Sequence, residues 1–243
     1  MISVCIATHN ASKYIHAQII SILNQVGPED ELIVSDDVST DDTIAIINKI
    51  NDPRIKVISG FVRLGIIKNF ERALYAAKGS LIFLSDQDDV WLPNKVNVCK
   101  TALAKHTLVV TDCIVVDSNL NHVADSFFVM KNSKKGILLN IYKNSYIGCC
   151  MAFKRELLDV ALPFPSNIPM HDVWLGLLAE IKGNVVFLNE KLVLYRRHEK
   201  NASFMESKNS VLRKIQLRLL LISNLAIRLV SATNQNNVKN NLK

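Results

Sequence analysis

The chain has 243 residues, 49% of them apolar, and 29 Lys and Arg against 22 Asp and Glu give a formal net charge of +7. Such a length and apolar share support one large folded domain or two small ones and exclude a disordered or fibrous chain. The charge is unevenly placed: 22 basic and 21 acidic residues precede Met205, and beyond that point seven basic residues face Glu206 alone, so the body carries no nucleic-acid footprint.

Residues 2–7 form a short β-branched apolar run with no basic segment before it, which reads as a first strand and not as a signal peptide. Asn10 can cap a helix running through Val26, where Gly27-Pro28 stop it. Residues 31–35 read as a second strand. Thr40, Asp41 and Asp42 then open a second helix, with carboxylates at the positive end of its dipole. A third strand follows over 55–59, a third helix over 65–78 closed by Gly79, and a wholly apolar fourth strand over 81–84. Pro93 stands where the first turn of the next helix begins. This alternation predicts an α/β fold with a parallel sheet covered on both faces. Beyond Lys105 the pattern is mixed: a strand over 107–116, a turn at 117–119, a helix over 172–181, and strands over 185–188 and 192–195. The predicted division is one α/β domain over 1–204 and a basic helical tail over 205–243.

Five cysteines (Cys5, Cys99, Cys113, Cys149 and Cys150) form no C-x-x-C pair, and their odd number fits a reducing cytoplasm and no disulfide framework. The longest uncharged apolar run, 219–227, falls well short of the ~20 residues a membrane span needs.

Open α/β sheets bind ligands beyond the carboxyl ends of their strands. There the chain places Thr8, His9 and Asn10, then Asp36 and Asp37, then Asp86, Asp88 and Asp89. Acidic clusters at neighbouring strand ends repel one another unless a cation lies between them. A Mg²⁺ or Mn²⁺ ion shared with substrate phosphates would resolve that conflict.

Seven runs in this order carry a family pattern: SVCIATHN at 3–10, VSDDVSTDDT at 34–43, LGIIKNF at 64–70, DQDDVW at 86–91, GCCMAF at 148–153, HDVW at 171–174 and YRRHEKN at 195–201. Together they resemble the family-2 glycosyltransferases of GT-A fold, particularly the bacterial rhamnosyltransferase-like branch of surface-polysaccharide synthesis. The resemblance implies a mixed, mainly parallel sheet that binds a nucleotide-diphosphate sugar, either dTDP-rhamnose or a UDP-hexose. It implies that Thr8, Asn10 and Asp36 hold the nucleotide, and that Asp86 and Asp88 form the D-x-D element. It also implies that Asp88, Asp86 and His198 bind Mn²⁺ or Mg²⁺, that Asp172 is the catalytic base, and that Gly148, Cys149 and Trp174 line the acceptor side. The acceptor it implies is a lipid-linked saccharide. Chemically these roles cohere: a cation neutralises the leaving diphosphate, and one carboxylate deprotonates an acceptor hydroxyl on the opposite face, which inverts the anomeric centre.

Val38 replaces the Gly usual in the family's D-D-G-S run, so the turn is expected to avoid a positive φ. Arg63 replaces a common Asn. A rival reading makes Asp86 the nucleophile and Asp88 the acid/base of a haloacid-dehalogenase-type phosphatase, although that motif belongs on a first strand. In the tail, Val211, Ile215, Leu219, Ile222, Ala226 and Leu229 recur at helical spacing beside scattered basic residues. Two readings follow. Residues 208–233 lie as an amphipathic helix on the inner face of the cytoplasmic membrane, making the enzyme peripheral, or the helix packs on the body or on a second chain as a homodimer.

Overall fold

The computed structural model describes residues 1–199 and 210–240. The expected boundary between Phe204 and Met205 lies outside them, as do Lys200 and Asn201 of the last motif. The N-terminal half alternates strand and helix: β1 (Ile2–Thr8), α1 (Ile15–Leu23), β2 (Glu31–Asp36), α2 (Thr43–Ile50), β3 (Ile55–Ser59), α3 (Ile66–Ala76) and β4 (Leu81–Ser85). The order 3-2-1-4 runs parallel throughout. Chain progression leaves β1 towards β2 and β3 and returns to its other side as β4. That reversal opens a crevice at the carboxyl ends of β1 and β4. Both strands are buried almost from end to end, which explains their unbroken apolar runs.

The second half adds β5 (Val90–Trp91), α4 (Lys95–Leu103), β6 (Leu108–Val116), β7 (His122–Ala124), α5 (Phe127–Lys131), α6 (Ile137–Tyr142), β8 (Met151–Lys154), α7 (Leu158–Ala161), α8 (His171–Lys182), β9 (Val185–Arg196) and α9 (Val211–Asn240). Strand β8 joins antiparallel to both β4 and β6, and β9 runs parallel to β6. The sheet therefore continues as β8-β6-β9-β5, with β7 on the edge of β6. The two strands expected over 185–195 are one, and the polar break between them is an irregularity in its register with β6.

Two local expectations change. Asn10 does not cap α1: it takes φ 52° and its side-chain oxygen accepts from the Thr40 amide at 2.8 Å, tying the first loop to the second. Tyr14 occupies the cap position instead. Val38 does adopt a positive φ, 59°, in spite of its β-branched side chain. The tight turn is held there by Asp36, which accepts from the Ser39 amide at 2.8 Å and its hydroxyl at 2.5 Å.

The tail is a helix whose buried face differs from the expected stripe. Leu221 and Leu225 enter the core, whereas Val211, Ile215, Leu219, Ile222 and Ala226 are exposed. Its arginines dock it: Arg228 donates to the carbonyls of Val160, Leu162 and Pro163 and lies over the Trp174 ring, and Arg218 donates to the Tyr142 carbonyl. Among the described residues, no helix is long and apolar enough to cross a membrane.

Candidate active site

One cavity of about 1210 Å³ opens at the crevice between β1 and β4, and Thr8, Asp37, Asp86, Asp88 and Asp172 all line it. Residues distant in sequence meet there because β1, β2 and β4 end side by side. Thr8, the last residue of β1, is buried and donates to Asp36 Oδ1 at 3.0 Å. Its own carbonyl accepts from Asn69 on α3 at 3.2 Å.

The acidic run after β4 is gripped from β9. His198 Nε2 lies 2.8 Å from Asp88 Oδ2, and the His198 ring stacks on Tyr14 at 5.2 Å. Arg196 donates its backbone amide to Asp89 Oδ1 at 2.8 Å and its Nε to the Asp88 carbonyl at 2.6 Å. Burial, with the neighbouring charges of Asp88 and Asp172, pushes the Asp86 carboxyl up to about 8. Burial also raises Asp88, with His198 opposing it. Asp89, wholly buried, lies well above the usual carboxylate range. Below the cluster Lys95 is fully buried; it donates to the Cys149 carbonyl at 2.5 Å and sits 4.4 Å from the Trp91 ring centre.

Carboxylates crowded this far from their normal ionisation describe a place where a divalent cation would be welcome. The oxygen and imidazole donors of Asp86, Asp88 and His198 suit Mn²⁺ or Mg²⁺. Asp86, Asp89 and Cys149 also bring ligand atoms within 4.8 Å of one another. That set is a poorer match for a hard cation, because burial holds the Cys149 thiol protonated.

Asp172 reaches the cavity from the first turn of α8, where Met170 takes the cap position. Its Oδ1 accepts from the Val173 amide at 2.6 Å. Burial pushes its carboxyl up to about 6, against the pull of nearby backbone amides including Gly148. A carboxylate poised there is ionised at neutral pH yet basic enough to accept a proton. Its neighbour His171 is buried, stacked on Phe70 at 4.1 Å, and pushed down to about 3 by burial, so it is neutral. A Cβ on Gly148 would come within 3.1 Å of His171 Nε2, which is why the 148–150 turn can close so tightly on α8.

The structure brings together Thr8, Asp86, Asp88, Asp172 and Gly148 around the cavity, with His198 on Asp88. Five expected residues lie off its walls, His198 among them, joined to the cavity through Asp88. Asp36 is buried behind Thr8, Asn10 is spent on the Thr40 loop, Cys149 is buried under the acidic cluster, and Trp174 packs in the core with its Nε1 donating to the Ala161 carbonyl at 3.0 Å. Asp37, not Asp36, lines the cavity; it accepts from the amides of Leu64 and Gly65 at 2.6 and 3.0 Å and faces Arg63 at 3.8 Å. Gln87 was unassigned on sequence grounds: its side chain accepts from the His9 amide at 2.7 Å and its position between Asp86 and Asp88 was the available signal. Lys95 and Arg196 were likewise overlooked, though Arg196 stands inside the YRRHEKN run.

A family model described as Glycosyl transferase family 2 matches residues 3–161. Two Escherichia coli proteins, WfaP and WfgD, each named UDP-Glc:alpha-D-GlcNAc-diphosphoundecaprenol beta-1,3-glucosyltransferase, are similar to the chain. WfaP is 40% identical over 40% of this chain and 39% of its own length, and WfgD 29% identical over 74% of this chain and 70% of its own. Among solved structures, S. aureus TarS 1-349 in complex with UDP-GlcNAc superposes with a TM-score of 0.71 at 23% identity, covering 92% of this chain and 66% of that one. The chain thus spans between about two fifths and seven tenths of the length of WfaP, WfgD and TarS. The matches leave the phosphatase reading of Asp86 and Asp88 without support.

Proposed function

The chain belongs to glycosyl transferase family 2, and from that premise we propose that it moves a sugar from a nucleoside-diphosphate donor to a hydroxyl of a lipid-linked saccharide with inversion. One observation carries the reading: the Asp88–His198 pair and Asp172 converge from different elements on a single cavity floored by Thr8. Asp86, Asp88 and His198 would hold Mn²⁺ or Mg²⁺, which supplies electrostatic stabilisation of the departing diphosphate. Thr8 and the loop locked by Asp36 and Asn10 shape the seat of the nucleotide. Asp172 takes the proton of the acceptor hydroxyl. A single base on the face opposite the leaving group yields one displacement and an inverted product.

The donor is dTDP-rhamnose or a UDP-hexose, and the names of both E. coli relatives contain UDP-Glc and a diphosphoundecaprenol saccharide. The exposed stripe of α9 (Val211, Ile215, Leu219, Ile222) rests the enzyme on the inner membrane face where such an acceptor lies. The test is a donor panel with Mn²⁺ and lipid-linked acceptors. Acceptor-dependent release of one nucleoside diphosphate is expected. Release of inorganic phosphate from phosphomonoesters, without sugar transfer, overturns the reading.

A further inference from the structure

A cavity of about 1210 Å³ is larger than the ~300–1,000 Å³ that one small ligand occupies, and its carboxylates all lie on one side. The strand-end wall and α8 supply all four lining carboxylates, Asp37, Asp86, Asp88 and Asp172, with Arg63 beside Asp37 and Arg197 just beyond β9. The facing wall, built by the ends of α5 and α6 and by α9, supplies Lys131, Lys143, Lys214 and Arg218 and no carboxylate among its described lining residues. Lys214, Arg218 and Leu221 stand at spacings of four and three on α9 and so share one face. Arg218 binds that face to α6: it donates to the Tyr142 carbonyl at 2.6 Å, with its guanidinium 4.6 Å from the Tyr142 ring centre. This brings the helix cation beside Lys143, the residue that follows α6. Leu221, buried at the same wall, holds α9 in place.

Two diphosphates in one cavity repel each other, so each needs its own counter-charge. The acidic wall, four carboxylates against Arg63 and Arg197, needs a metal to hold a diphosphate firmly. The basic wall can meet one directly, through charge-assisted hydrogen bonds. We propose that Lys143, Lys214 and Arg218, with Lys131 at the rim, form the subsite for the diphosphate of the acceptor, and that its prenyl chain leaves along the apolar face of α9. This rests on the glycosyltransferase reading above and names the acceptor class as a prenyl-diphosphate-linked saccharide.

The experiment titrates farnesyl diphosphate into protein presaturated with Mn²⁺ and UDP or dTDP, for the wild type and the double variant Lys143→Ala/Lys214→Ala. Arg218 is left intact because it docks the helix. Farnesyl diphosphate affinity is expected to fall about tenfold per lysine removed, with nucleoside-diphosphate affinity unchanged, which also reports an intact fold. Unchanged farnesyl diphosphate affinity overturns the proposal. A matching loss of nucleoside-diphosphate affinity also overturns it, by giving the lysines to the donor. Inorganic pyrophosphate bound as tightly as farnesyl diphosphate removes the lipid from it. Wild-type protein that binds UDP or dTDP with Mn²⁺ but not farnesyl diphosphate sinks the subsite and leaves the transferase standing. Protein that binds neither sinks both.

Discussion

On the strand side of the cavity the acids are immobilised: Asp36 accepts three hydrogen bonds, Asp37 accepts two backbone amides, and Asp88 is paired with His198. Across the cavity, Lys143 is exposed and Lys214 half-buried, on a helix end and on α9. The contrast separates two tasks. Stabilising charge that develops during a reaction needs groups fixed beforehand, since reorganising them would consume the gain. Holding a diphosphate on a flexible carrier needs only cations within reach. The walls should therefore respond differently to substitution.

The largest effects belong to the fixed wall and the base. Asp88→Ala is expected to abolish transfer, and Asp172→Asn to lower kcat by about 10³-fold with the thermal melt unchanged. Because Asp172 must be ionised to accept a proton and its carboxyl lies at about 6, wild-type kcat/KM falls as pH drops through 6, about tenfold per unit below it. Asp172→Asn should lack that acid limb. A variant with near-wild-type transfer, or with the limb retained, removes Asp172 from the role.

Next in size is Lys95, the buried cation beneath the acids. Lys95→Met leaves the Cys149 carbonyl without its donor and Asp86 without its nearby positive charge. The expected loss is about 3 kcal/mol, a Tm lower by roughly 6–12 °C. If Mn²⁺ restores much of that loss, the metal and Lys95 answer the same charge. A Tm unmoved by the substitution would show that the acids carry no net charge in the native protein.

Much of the acidic wall was legible because its signals are local: an apolar run ends, and the residues that follow it fall in the crevice. What escaped were choices made over distance. Asp36 and Asp37 are adjacent and chemically identical, and only the direction of β2 decides that the first turns to Thr8 and the second to the cavity. In α9, apolar residues nearly surround the helix, and the stripe its periodicity picks out misses Leu221 and Leu225, the two that are buried. The choice fell to Arg218 and Arg228, whose acceptors are carbonyls some 65 to 76 positions away. Lys95 carries no sequence signal, because nothing nearby in the chain announces the Cys149 carbonyl, 54 positions away.

The smallest predicted effect isolates how firmly the fixed wall is held. Val38 sits at φ 59° between Asp36–Asp37 and Ser39, a conformation that costs a β-branched residue about 1–3 kcal/mol. Val38→Gly relieves that cost but adds about 1 kcal/mol of backbone entropy to the unfolded chain. The balance favours glycine by about 1 kcal/mol, so Tm should rise by roughly 2–4 °C. The bonds from Asp36 to Ser39 and from Asp37 to Leu64 and Gly65 do not involve the Val38 side chain, so donor KM should stay put. A fall in Tm would show that the side chain of Val38 stabilises the loop more than its backbone strains it. A raised Tm with a weakened donor KM would show that the valine itself, and not only the hydrogen bonds around it, keeps the strand-end loop in its binding shape.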